Sequence, residues 1–307
     1  MTLVLTIVIP TYKRPDSLAR LLRSIIADIG DRDDTAIVVA DNDAARSAES
    51  TVRELARQCD NPIDYRVAPE PGVSNARNAG MEGVKSRYVL FLDDDMAIEP
   101  GFVAPMLDTS RSLSAAMTFA PIRAVLPDGM ERLSHWLAPL FSRQMRGPTR
   151  LIDDPMGTGG CLLDLNGLAL PDPIFDPALN EVGGEDDALF AAIQAQGGRA
   201  AWCADVTALE YVPPHRATLR YLWARHFAYG QTPARDAAGR GITGLPSVAK
   251  WMAVGSVQTL LHGTACLALR LTGRPAYIGQ MGKLAQGVGK IFWWDGLSPK
   301  FYGAQAR

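Results

Sequence analysis

Apolar positions in this chain fall into short unbroken runs separated by helical repeats. Leu3 to Ile9 is β-branched and almost wholly apolar, which predicts a strand buried on both faces and ended by Pro10. Leu18, Leu21, Leu22, Ile25, Ile26 and Ile29 then recur at helical spacing, with Pro15 and Asp16 near the start and Gly30 just past the end. Ala36 to Ala40 reads as a second buried strand running into Asp41-Asn42-Asp43, followed by a helix over 44–58 and a strand over 63–67. Pro71-Gly72 breaks the chain before a helix over 73–85, and Tyr88-Val89-Leu90-Phe91-Leu92 leaves no room for alternation, so it is another strand covered on both faces. Met117 to Val125 predicts a further strand, and a helix through Leu189, Phe190 and Ile193 ends at Gly197-Gly198. Strands alternating with helices of this length imply an α/β domain with a doubly wound, mostly parallel sheet.

The pattern changes after Pro214. Residues 219–229 read as a basic helix with Arg220 and Arg225, and a Gly- and Pro-containing break follows through Gly244. Trp251 to Leu271 is then about as long as a membrane span, but Gln258, Thr259, His262 and Thr264 interrupt it and favour a buried or interfacial helix. The expected division is a catalytic domain over 1–212 and a helical extension over 213–307. Charge sharpens it. The net −2 hides +10 on residues 213–307, where 12 Lys and Arg face only Asp236 and Asp295, and hence −12 on residues 1–212. Basic residues beside Phe292, Trp293 and Trp294 suit an anionic membrane surface, and no nucleic-acid recognition module is present. The other reading has these helices packing on the catalytic domain or on a second copy in a homo-oligomer.

Composition adds little beyond this. Hydrophobic content of 47% and charged content of 21% describe an ordinary globular chain with a sizeable core. Cys59, Cys161, Cys203 and Cys266 form no C-x-x-C pair, which suggests neither a disulfide framework nor a zinc site and fits a reducing cytoplasm. No basic segment precedes the first apolar run, so it reads as a strand and not as a signal peptide.

Candidate chemistry sits where the strands end. Asp93, Asp94 and Asp95 follow the fourth strand directly, at the rim where open α/β sheets bind ligands. If strand alternation continues, Asp93 and Asp95 share a side and can converge on one divalent cation, with Asp94 opposite. Taken alone, the triplet reads equally well as a solvated acidic turn. Glu185, Asp186 and Asp187 open a helix, where capping and the macrodipole account for one or two of the three acids.

Together with Ile7-Val8-Ile9-Pro10-Thr11-Tyr12, Val39-Ala40-Asp41-Asn42, Gly72 to Gly80 and Gly184 to Asp187, this set closely resembles the family 2 glycosyltransferases of the GT-A fold, in unbroken order over roughly two thirds of the chain. The resemblance implies that Pro10, Thr11, Tyr12 and Arg14 line a nucleotide pocket and that Asp41 accepts a base N–H. It places Arg77 beside the donor diphosphate and the Asp-x-Asp motif on Asp93 and Asp95, towards ribose and metal respectively, with Asp94 between them. Gly157-Thr158-Gly159-Gly160-Cys161 resembles the strand that floors the sugar pocket, with Gly159 and Gly160 giving the ligand close approach. The family's base falls on Asp186, with Glu185 and Asp187 orienting it or touching the acceptor. Many relatives place a His, as a metal or phosphate contact, where this chain has Glu210; His215 is the other candidate. Trp136, Phe141, Arg143 and Arg146 either sit over the acceptor or form a surface loop.

The activity implied is inverting, Mn²⁺- or Mg²⁺-dependent transfer of a sugar from a nucleotide-diphospho-sugar to a hydroxyl of a glycan or lipid-linked acceptor. It implies a role in polysaccharide biosynthesis, and the cysteine usage and basic tail put the expected place in the cytoplasm, peripheral to the inner face of the membrane. The alternatives are transfer to a lipid phosphate, which needs no base, and a catalytically silent nucleotide-sugar or glycan binder.

Overall fold

A computed structural model describes residues 3–30, 32–180 and 183–299. In chain order the elements are β1 (Leu5–Thr11), α1 (Pro15–Ile29), β2 (Thr35–Asp41), α2 (Glu49–Ala56), β3 (Ile63–Val67), α3 (Val73–Met81), β4 (Tyr88–Phe91) and β5 (Met96–Ile98). Then come α4 (Val103–Leu113), β6 (Met117–Phe119), β7 (Ile122–Val125), the short α5 (Ser134–Leu137), β8 (Arg150–Ile152) and β9 (Cys161–Asp164). The last are α6 (Glu185–Ala195), β10 (Ala200–Trp202), β11 (Ala208–Tyr211), α7 (Leu219–Ala238), α8 (Leu245–Leu271) and α9 (Tyr277–Ile291). They fall into two compact units, one of residues 3–125 and 141–211, the other of 126–140 and 212–299.

The first unit is built on an eight-stranded sheet in the order β3-β2-β1-β4-β9-β6-β10-β8. The first four strands expected from the sequence are its parallel half, and β9 enters antiparallel between β4 and β6. β1, β2 and β4 are buried at every position, as expected of strands covered on both faces. One core layer joins β1, β2 and β4 to α1, α2 and α4, and the other joins the sheet to α6 through Leu189, Phe190 and Ile193. A smaller sheet, β5-β11-β7, stands beside it.

Several boundaries differ from the expected ones, α7 among them by running on to Ala238, and three have a clear local reason. β1 runs through Pro10 to Thr11: Val8 O accepts from Leu92 N on the β4 side, so Pro10 faces that side too, where β4 has ended and no ladder bond needs its missing N–H. The strand expected over 117–125 is two, because the Pro121 region turns the chain from the large sheet into the small one. The helix expected from residue 44 starts at Glu49, because Asp41 captures the turn before it. All four cysteines are free thiols.

Candidate active site

Asp93, Asp94 and Asp95 lie beyond the last paired residue of β4, so strand alternation no longer governs them. Asp94 turns inward and accepts from the Thr11 hydroxyl (2.8 Å), the Tyr12 amide (3.3 Å) and Arg14 Nη1 (3.0 Å). Burial raises its carboxyl above the usual range, and Arg14 and these bonds oppose the shift. Asp95 shares the same guanidinium, its Oδ2 lying 3.1 Å from Arg14 Nη1. The expected placing of Asp94 opposite Asp95 does not hold: both reach Arg14 and lock the turn after β1, while Asp93 reaches Arg77. Tyr12, half exposed at 53%, presents its ring on that turn.

Asp41 also works through others. It is fully buried, accepting from the amides of Asp43 (3.0 Å) and Ala48 (2.9 Å) and from the Tyr65 hydroxyl (2.7 Å), and burial with this bond pushes the Tyr65 phenol above its usual range. These bonds give Asp41 a supporting role, in which it shapes the turn after β2.

The Asp93 side chain is 40% exposed and points across to Arg77 of α3. Arg77 on α3 is buried, with Nη1 2.6 Å from Glu185 Oε1 and Nη2 3.4 Å from Asp93 Oδ1, its guanidinium 5.5 Å from the Phe175 ring centroid. Its Nε is buried without a hydrogen-bond partner. Glu185 thus serves Arg77 and leaves the helix end to its neighbours. Asp186 accepts from the Asp187 amide (3.0 Å) and lies 3.4 Å from the Thr158 amide, while Asp187 is exposed at its surface, its carboxyl raised by partial desolvation and by the charges of Asp186 and Glu185.

The glycine loop 157–160 closes this arrangement. A Cβ on Gly157 would lie 3.3 Å from Asp186 Oδ2, and one on Gly159 would lie 2.6 Å from Asp93 Oδ2. Arg143 staples the loop: Nη1 donates to Gly157 O (2.7 Å), Nη2 to Gly159 O (2.6 Å) and Gly160 O (3.3 Å), and Nε to Ala120 O (3.0 Å). Burial pulls this guanidinium down to about 10, and the charges of Asp93, Glu210 and Asp186 oppose that pull. The sequence does not decide between two roles for Arg143, because its partners are main-chain carbonyls that no motif records. Trp136 lies in the other unit, with its indole against Gly279 of α9. Glu210 sits on β11 opposite Met96 of β5, and His215 is exposed in the helical unit.

Gly159 gives a direct test of how tightly the loop abuts the acid. The side chain that Gly159→Ala meets is the free end of a carboxylate, which can swing away at little cost to the fold. The melting temperature should hold while affinity for a nucleotide-sugar falls about tenfold or more, since Asp93 is displaced from its position over the loop. Calorimetric titration beside a melting curve checks both halves.

Among the described residues no group of three His, Cys, Asp or Glu forms a metal cage. The donor set still suits a hard cation. Mg²⁺ and Mn²⁺ favour carboxylate oxygens, and Mg²⁺ sites in particular take one or two carboxylates and complete the shell with substrate phosphate and water; Asp93 and Asp95 supply such oxygens.

A model of glycosyl transferase family 2 matches residues 6–163, the stretch that holds β1 to β4 and nearly all of β9. The succinoglycan biosynthesis protein ExoM of Rhizobium meliloti (strain 1021) is 32% identical over 244 residues, which are 76% of this chain and 75% of ExoM. Among solved structures, S. aureus TarS 1-349 superposes with a TM-score of 0.52 at 13% identity, covering 98% of this chain and 99% of that one. GalNAc-T7, solved with UDP, GalNAc and Mn²⁺, gives 0.53 at 14% identity over 76% of this chain, which spans about half (51%) of the GalNAc-T7 chain. At such identities these two likenesses concern the fold. The chain belongs to the family 2 glycosyltransferases, with a GT-A catalytic unit and a helical C-terminal region.

Proposed function

We propose that this glycosyltransferase moves a sugar, with inversion at the anomeric carbon, from a nucleotide-diphospho-sugar to a hydroxyl of a growing glycan, free or lipid-linked, in cytoplasmic polysaccharide assembly. The observation that carries the proposal is the continuous set Asp93–Arg77–Glu185 with Asp186 on the glycine loop, which joins the end of β4 to the start of α6. The turn Pro10 to Arg14 holds the nucleotide, with Tyr12 offering its ring to the base and Asp41 fixing the adjacent turn. Asp186 takes the proton of the acceptor hydroxyl as that oxygen forms its bond to the anomeric carbon. The bond from that carbon to the diphosphate breaks on the opposite face, and the nucleoside diphosphate leaves with the electron pair. Arg77 sits where it can meet the growing phosphate charge. Asp93 and Asp95 would hold Mg²⁺ or Mn²⁺ there, and the cation would supply Lewis-acid neutralisation of the same charge. Gly159, Gly160 and Asp187 border the space for sugar and acceptor, and Glu210 is a further carboxylate that a hard cation could take.

ExoM's name places it in succinoglycan biosynthesis, TarS has been solved with UDP-GlcNAc, and the GalNAc-T7 crystal contained Mn²⁺, all of which support this reading. Thermal-shift screening of nucleotide-sugars with Mn²⁺ and with chelator tests it. One donor class should raise the melting temperature with metal present, and Asp95→Ala should abolish that rise. An equal rise in chelator would remove the metal from the account, and no response to any nucleotide-sugar would remove the donor.

A further inference from the structure

The helical unit is built inside out. α8 is 27 residues long, yet only Val248 and Gly255 are buried. Its outer face carries Val254, Val257, Leu260, Leu261, Leu267 and Leu271, each between 41% and 79% exposed and repeating at helical spacing. The seam towards α9 is small and polar instead. Gln258 donates to Lys283 O (2.9 Å) and accepts from Lys290 Nζ (3.0 Å), and His262 Nδ1 lies 2.7 Å from Gln280 Oε1. Glycines bring the backbones together: a Cβ on Gly255 would lie 2.7 Å from Gly287 O, and one on Gly230 of α7 2.2 Å from Gln286 O.

In water this arrangement is the wrong way round, because apolar faces pack inward and polar seams face out. Small residues and side-chain hydrogen bonds between helices, with aliphatic residues outside, are what a lipid environment selects. The polar groups left on the outer face agree. Ser256 and Thr264 return their hydroxyls to carbonyls of their own helix, so no donor there calls for water.

Two features say what covers this face. Trp251 to Leu269 contains no charge, a length of about 29 Å at 1.5 Å per residue, while Arg240, Lys250, Arg270 and Arg274 lie at its ends, all exposed. Over residues 213–307 only two acids oppose 12 basic residues, which complements an anionic surface. Lys283 settles the orientation, because it is exposed on α9 level with the middle of α8 and a crossing would carry it to the bilayer centre.

We propose that α8 lies in the plane of an anionic bilayer, its Val/Leu face among the upper acyl chains and its terminal Arg and Lys in the headgroups, with α9 on the water side. The docking does not depend on the transfer chemistry. Flotation of the full chain with phosphatidylcholine vesicles, with and without phosphatidylglycerol, tests it. The chain should float with the anionic vesicles, weakening but not detaching at high salt, and the Leu260→Glu/Leu261→Glu double variant should lose about tenfold or more of the floated fraction. Because both leucines are exposed, its melting temperature and nucleotide-sugar binding should match those of the parent, which separates lost docking from lost folding. The proposal is overturned if the full chain stays unbound at low salt or the double variant floats as the parent does. It is equally overturned if sedimentation shows a stable dimer that the double variant dissociates while neither protein binds vesicles.

Discussion

Arg77→Met should destabilise the catalytic unit by about 3–5 kcal/mol, because it strands Glu185 as a buried charge without its partner. The pair is 2.6 Å apart, with side-chain exposures of 7% and 10%, so solvent screens it little. Urea denaturation followed by circular dichroism should show the transition midpoint moving down. Adding Glu185→Leu should recover much of the loss, since two apolar side chains in place of a buried ion pair are often tolerated. Donor binding should not recover with it. Arg77 also reaches Asp93 and has a buried Nε without a hydrogen-bond partner, so the double variant remains deficient in nucleotide-sugar affinity although its fold is repaired. An Arg77→Met protein as stable as the parent would contradict the pairing, and a double variant that binds donor normally would confine Arg77 to a structural role.

The parallel half of the sheet was legible because strands buried on both faces leave unbroken apolar runs, as in Leu5 to Ile9 and Tyr88 to Phe91. β8 and β10 were not, since three-residue strands carry no period, and the chain from Pro127 to Asp154 gave no repeat of either kind. Site residues with recognisable neighbours were placed by position, but their partners were not. Nothing in Asp93-Asp94-Asp95 says that the chain leaves the strand before the first acid, so the geometry drawn from alternation failed there. Nor does a short acidic side chain such as Asp41 announce that two amides and a tyrosine will enclose it. Arg143 shows the same limit from the other side, because a guanidinium that holds three carbonyls of a glycine loop and a fourth at Ala120 has no sequence signature. The polar interruptions of α8 were visible, and only the packing showed that Gln258 and His262 face α9 while Thr264 stays on the outer face.

Asp186→Asn should slow the chemical step by about 10² to 10⁴ while leaving donor affinity unchanged, because the amide keeps the shape of the carboxylate but cannot take a proton. Its oxygen can still accept from the Asp187 amide. Single-turnover release of nucleoside diphosphate from pre-bound donor, compared in parent and variant beside calorimetric donor binding, is the most direct measurement of the reaction proposed. Slow release at full donor occupancy is the predicted result; release near the parent rate, or a loss that follows weakened donor binding, would contradict Asp186 as the base.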